Sequence, residues 1–297
     1  MTWQFSLAGL LVGSLVGLTG MGGGSLMTPI LVIVFGFNPT YAVGTDIVHG
    51  AIFKSFGAVR HRRLGTVHAH LTLWMFLGSG PLSLVGVWVA DVIKTHYSNA
   101  QTIESYAVGA ALVAGGLGFL AKSFIKRGIK PSDLPFILTT RDKAIAVAIG
   151  AIFGFVVGLT SVGSGTFFGL VMVLVYPMTM AKIVGTDIFH AAALLWVAGI
   201  GHMIAHNVDY RATGWLLIGS IPGVLISSRF TVRVSDIVLR LSLGTVLVLT
   251  GLKLLNVPES KWILLGGLVG LAVGLAAYGV RTWLLARPRL AETTASS

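Results

Sequence analysis

The 297 residues contain no cysteine. That removes disulfide frameworks, thiolate nucleophiles and zinc-thiolate sites, and leaves the redox compartment open. Charge is scarce as well: 10% of the residues are Asp, Glu, Lys or Arg, against roughly 25% in an ordinary soluble domain. No charged side chain precedes Asp46, so the start lacks the basic flank and small-residue cleavage site of a removable signal peptide and is expected to be retained. The glycine-rich GMGGGS at 20–25 lacks the G-x-x-x-x-G-K-[ST] pattern of a nucleotide-binding P-loop.

Apolar residues are abundant, at 55% of the chain with a mean hydropathy of +0.88. This is the composition of a membrane protein, and the length houses about eight to ten bilayer-crossing elements in one polytopic domain over residues 1–297. The net charge of +11 raises nucleic acid as a partner. The basic residues, however, form short clusters between apolar runs, where Lys and Arg set membrane orientation, so no nucleic acid is expected.

Sliding the chain against itself by 141 positions aligns VGLTGMGGGSL (Val16–Leu26) with VGLTSVGSGTF (Val157–Phe167), and VGTDIVHGA from Val43 with VGTDIFHAA from Val184. The same register sets His61 on His202 and GSGP at 78–81 on GSIP at 219–222. One register serving four motifs is the signature of an internal duplication. Repeat one covers about 4–121 and repeat two about 143–255, with a loop at about 122–142 between them and an extra helix at about 261–285.

The apolar stretches at 26–36 and 167–177 hold 11 residues each, about 16 Å as helix, too short for a hydrocarbon core of about 30 Å. Each follows a Gly/Ser-rich break after another short apolar segment. Each pair is therefore expected to form a helical hairpin that returns to its own side, leaving three spanning helices per repeat. Three crossings invert the second copy. The basic clusters RHRR at 60–63, the loop at 122–142, and Arg229, Arg233, Arg281, Arg287 and Arg289 then share one face, which the positive-inside rule makes cytoplasmic. The expected fold is all-α and polytopic: two inverted repeats, each a glycine-broken hairpin plus three spanning helices, and one extra C-terminal helix. The N-terminus lies outside and the C-terminus in the cytoplasm. A parallel arrangement would split the basic clusters across both faces.

The breaks are the first candidate site. A half-helix starting after GMGGGS (20–25) or SVGSGT (161–166) points free N–H groups and its positive dipole end into the membrane, a setting for an anion. Gly22, Gly23, Gly24 and Ser25, with Gly163, Ser164, Gly165 and Thr166, are the expected substrate-binding residues, together with Thr45 and Thr186 just beyond each half-helix. The alternative is that these glycines permit close helix packing. The hydroxyls of Ser25, Thr28, Ser161, Ser164 and Thr166 either donate to ligand oxygens or satisfy loose backbone.

The second candidate is the doubled VGTD element. Asp46 and His49 are three apart on one helical face, as are Asp187 and His190. Ionisable groups in a span face a cavity or a partner. These pairs either relay protons or brace the N–H groups freed by the breaks; Thr45 and Thr186 share that ambiguity. No metal-ligand spacing exists beyond the pairs, so neither metal nor cofactor is expected. Lys54 has no basic counterpart, since its repeat position is Leu195. At the cytoplasmic end of its helix it is read as snorkelling out, with a substrate role as the alternative. His61 and His202 are read as interfacial, and Trp3 and Trp262 as belt residues.

GLTGMGGGSLMTPIL followed by AVGTDI, and GLTSVGSGT followed by IVGTDI and GSIPG, resemble the TauE/SafE family of permeases, the sulfite exporter family, over roughly residues 5–255. The resemblance implies a multi-pass permease of the bacterial cytoplasmic membrane that moves sulfur-containing oxyanions or organosulfonates, most often outward. Its matching positions are 20–25, 161–166, 44–46 and 185–187. The expected function is a secondary transporter of a small sulfur oxyanion such as sulfite, working by alternating access. A passive anion channel is the alternative. An intramembrane enzyme lacks a nucleophile constellation, so no enzyme is expected. The expected partners are the anion and the lipid bilayer; a homodimer is compatible with both.

Overall fold

The computed structural model describes residues 2–19, 23–124, 137–227, 236–260, 262–270 and 273–274. Among them is no strand, and the α-helices before residue 260 are ten: α1 (Thr2–Thr19), α2 (Met27–Ile33), α3 (Pro39–Arg63), α4 (Ala69–His96), α5 (Ala100–Phe124), α6 (Thr140–Thr160), α7 (Phe167–Val175), α8 (Met180–Ile204), α9 (Tyr210–Ser227) and α10 (Asp236–Leu254). A 3-10 turn at Gly23–Leu26 leads into α2. Residues 262–270 are helical; the remainder of the extra helix expected at 261–285 lies almost wholly outside the described residues.

Local chemistry sets the helix ends. The Asn38 side chain accepts from Thr40 N at 3.0 Å, with Pro39 at the first helical position of α3, the preferred start for both residue types. Glu104 of α5 reaches the same end and accepts from Thr40 N and its hydroxyl. Arg60, His61, Arg62 and Arg63 occupy the last turn, where the dipole is negative. Thr139 and Asp142 form a reciprocal capping box on α6. Its C-cap, Ser161, turns left-handed at φ 61°.

By length and apolar character α4, residues 100–121 of α5, α6 and α8 can cross a membrane. α8 is the most enclosed of them, with 61% of its apolar window buried against 33–44% for the others, which makes it a central helix. α3 carries Asp46 and Lys54 within its 25 residues, yet packs antiparallel to α8: Gly50 lies against Leu195 and Gly57 against Ile188.

Close helix approaches use glycine, as lipid-embedded packing requires when no solvent drives association. α1 and α9 run parallel, with Gly9 against Leu216 and Gly13 against Ser220. α4 and α6 do the same, with Gly150 against Met75 and Gly154 against Ser79. A Cβ at any of these four glycines would strike the facing backbone. α5 and α10 cross antiparallel through Gly109 on Gly251 and Gly116 on Gly244. α1, α3 and α9 therefore start on one face of the bundle, and α4, α6 and α8 on the other.

That arrangement makes α1–α2 and α6–α7 hairpins returning to the side they left; Tyr176, just after α7, donates to the Asp142 carbonyl at the start of α6. One expectation needs correction. The first arms are not short: α6 has 21 residues and qualifies as a crossing by itself, and α1 has 18, about 27 Å of helix. Only α2, with 7 residues, and α7, with 9, are half-helices. The capped Thr139–Asp142 start lengthens α6 by three residues relative to its apolar stretch, which hydropathy alone does not register.

Candidate functional site

The second break is the best-defined part of the interior. After Ser161, Gly163 and Gly165 also adopt positive φ, at 119° and 116°, which glycine alone takes without strain. All six residues from Ser161 to Thr166 are buried. Thr166 N bonds to the Gly163 carbonyl at 3.2 Å. The N–H groups of Gly163, Ser164 and Gly165 make no hydrogen bond of normal geometry to the described residues. Three successive enclosed donors of this kind are rare in folded chains, where buried N–H groups are almost always paired. The Thr166 hydroxyl is also without a partner among the described residues.

Lys54 closes onto this break. Its ammonium donates to the Ser164 carbonyl at 2.7 Å and the Ser164 hydroxyl at 2.9 Å, and the residue is 6% exposed. The expectation that it snorkels to the surface is thus overturned. α3 runs through the bundle centre, so the stem points at the break instead of the lipid boundary. The ammonium lies within electrostatic reach of Asp187 and Asp46.

Asp46 joins the two breaks. One carboxylate oxygen accepts from Thr28 N at 3.2 Å and Thr28 Oγ1 at 2.6 Å, at the start of α2. The same oxygen accepts from Ser161 Oγ at 2.9 Å, at the end of α6. Asp187 is buried on α8. Thr28, Ser161 and Asp46 are thereby brought together, which the sequence left open for each hydroxyl.

The two histidines do not pair with the aspartates one turn away. His49 Nε2 shares a 2.9 Å hydrogen bond with Ser220 Oγ of α9, and His190 Nε2 one of 2.9 Å with Ser79 Oγ of α4. Both rings are fully enclosed and rest on phenylalanines, Phe53 and Phe168 respectively. Thr45 and Thr186 serve helix starts: Thr45 Oγ1 accepts from Asp209 N at 3.0 Å before α9, and Thr186 Oγ1 from His68 N at 2.9 Å before α4.

In the first break, Gly23 and Gly24 open the 3-10 turn. Ser25 is buried, its hydroxyl without a partner among the described residues. Gly22 lies outside the described residues. Among the described residues no three His, Cys, Asp or Glu side chains are grouped to hold a metal. His202 is a further departure from expectation. It is fully buried rather than interfacial, and its Nε2 donates to the Gly158 carbonyl at 2.9 Å.

Residues 5–254 match the family described as "Sulfite exporter TauE/SafE". The chain belongs to the TauE/SafE family. Among relatives, it is 38% identical over 255 residues to the probable membrane transporter protein YjnA of Bacillus subtilis, covering 86% of this chain and all of that one. It is 24% identical to the probable membrane transporter protein YdhB of the same organism, over 82% of this chain and 96% of that one. A probable membrane transporter protein of Methanocaldococcus jannaschii is 25% identical over 84% of this chain and 93% of its own. No solved structure matches.

This TauE/SafE protein is accordingly a multi-pass membrane protein of a transporter family. The residue that sequence reasoning undervalued in it is Lys54. Its one signal was asymmetry, a lysine in one repeat where the other has Leu195. Ser79 and Ser220 went unremarked as histidine partners, although both sit in the matched GSGP and GSIP motifs.

Proposed function

We propose that the protein is a secondary transporter of a small sulfur-containing oxyanion, such as sulfite or an organosulfonate, bound between the two glycine breaks. The observation that carries this reading is the buried turn at Gly163–Gly165, whose three N–H groups have no partner among the described residues, beside the Lys54 ammonium. Backbone donors and one fixed cation suit a compact oxyanion, which accepts several hydrogen bonds at once. Substrate displaces Lys54 from Ser164 and takes the ammonium as its counter-charge. Asp46 braces the breaks, because its one oxygen is already occupied by three donors.

The proposal includes alternating access by two repeats of inverted topology. Contacts recurring 141 positions apart support it. His49 with Ser220 has its counterpart in His190 with Ser79, and Thr45 with Asp209 in Thr186 with His68. Gly9 on Leu216 has its counterpart in Gly150 on Met75. Elements that pack identically from opposite faces can exchange roles when one opens and the other closes. Orientation follows the basic clusters: N-terminus outside and C-terminus in the cytoplasm of a bacterial inner membrane.

The test is flux of sulfite and of a short sulfonate into vesicles holding the purified protein. Wild-type protein accumulates solute against its gradient, Lys54→Met lowers uptake at least tenfold, and Lys54→Arg retains part of it. Absence of flux for both solutes refutes the substrate class. Single-channel currents without accumulation favour a passive channel. Flux indifferent to an imposed pH gradient removes proton coupling through the Asp46, His49, Asp187 and His190 positions.

A further inference from the structure

A second basic site lies apart from the breaks. A groove of about 680 Å³ opens where the starts of α4, α6 and α8 meet, lined among others by His68, His70, Leu73, Trp74, Lys143 and Lys182. The Lys143 ammonium sits 5.4 Å from the centre of the Trp74 ring. Neither the Lys143 ammonium nor the Lys182 ammonium makes a hydrogen bond or ion pair among the described residues. Asp142, the nearest carboxylate in sequence, is committed to Thr139 in the capping box of α6. The outer wall is apolar and open: Leu73 is 52% exposed and Ile137 84%. Two ammonium groups with no ion-pair partner among the described residues, over an apolar wall at a helix-start level and with Trp74 beside Lys143, match the boundary between headgroup and acyl chain.

The duplication supplies an internal control. Advancing the lining by 141 positions sets Asp209 for His68 and Arg211 for His70. Moving it back by 141 sets Thr2 for Lys143 and Tyr41 for Lys182. The equivalent place at the opposite face thus keeps the helices and loses both lysines. In place of an unpartnered lysine it has Lys94, whose ammonium donates to Asn207 Oδ1 at 2.6 Å and lies 4.8 Å from the Tyr41 ring. Under the orientation proposed above, on which this inference rests, that face meets the cytoplasmic leaflet, where anionic lipid is concentrated.

We propose that this groove binds the phosphate headgroup of an anionic phospholipid, its acyl chains lying along Leu73 and Trp74. Full-length protein in detergent is titrated with phosphatidylglycerol, with phosphatidylcholine and with soluble glycerol phosphate, and bound molecules are counted by native mass spectrometry. Wild-type protein retains phosphatidylglycerol in preference to phosphatidylcholine and does not retain glycerol phosphate. Lys143→Gln and Lys182→Gln each weaken phosphatidylglycerol about fivefold, and the pair roughly 25-fold, at the usual worth of one cation near an anionic surface. Lys143→Arg and Lys182→Arg hold it. Equal retention of the two lipids, undiminished binding by the double Gln variant, or retention of glycerol phosphate alone overturns the assignment. Because the chain has no cysteine, Lys143→Cys provides a unique thiol. Its labelling from the outer side would overturn the orientation independently of the binding result.

Discussion

Replacing Asp46 by alanine is the sharpest test of how the breaks are held. The carboxylate oxygen receives Thr28 N at 3.2 Å, Thr28 Oγ1 at 2.6 Å and Ser161 Oγ at 2.9 Å, at a residue 3% exposed. Alanine strands all three donors. A buried unpaired donor costs about 1–3 kcal/mol. The backbone N–H cannot turn elsewhere and takes a middle value of about 2, while each hydroxyl can rotate and costs about 1, for a sum of about 4 kcal/mol. Asp46→Asn keeps an acceptor oxygen at the same place but removes its charge. Charge-assisted bonds are roughly twice as strong as neutral ones, so about half the loss, about 2 kcal/mol, is expected. At roughly 2–4 °C per kcal/mol for a chain of this order of size, thermal unfolding in detergent falls by about 8–16 °C for Asp46→Ala and about 4–8 °C for Asp46→Asn. A melting point for Asp46→Ala within about 2 °C of wild type refutes the bracing role. Equal losses for the two variants would mean that charge, not acceptor geometry, holds the breaks together. Transport by folded Asp46→Asn at the wild-type rate agrees with bracing, whereas its loss in a folded protein makes the charge itself part of the cycle.

Ser79→Ala and Ser220→Ala each remove the partner of a fully buried histidine nitrogen. Each is expected to cost about 1–3 kcal/mol, and their effects on unfolding should match within about 1 kcal/mol if the two sites are equivalent; a large inequality in the same melting assay counts against the repeat symmetry. Gly154→Val drives a side chain into the Ser79 backbone and is expected to abolish the monodisperse peak in size-exclusion chromatography. Gly214→Ala meets nothing within 4 Å on its helix; it should leave that peak unchanged and raise stability by up to about 1 kcal/mol, and a loss of folded protein would contradict the packing described for α9.

Much of the site was legible in the chain because its parts are short and local. Gly163 and Gly165 had to be glycine for a buried turn at positive φ, and such residues announce themselves in an apolar sequence. Asp46, His49, Asp187 and His190 were visible because charge and imidazole inside a span are rare. Their partners were not visible. Helical spacing sets Asp46 beside His49, but the side chains leave α3 toward different neighbours, Thr28 and Ser161 for one and Ser220 for the other. The length of α6 was missed for a related reason: its first turn is held by the polar Thr139–Asp142 cap, to which a hydropathy reading is blind.

The sequence by itself determined the membrane setting, the duplication, the two helix breaks and the resemblance to TauE/SafE permeases, because each is written in composition, in periodicity or in a repeated string. The tertiary structure decided which side chains meet. Lys54 lies 110 positions from Ser164, and a lysine stem reaches either a lipid boundary or a buried turn with equal ease. Only the passage of α3 through the bundle centre, antiparallel to α8, turns that stem inward and makes a residue read as a surface anchor the one cation at the Ser161–Thr166 break among the described residues.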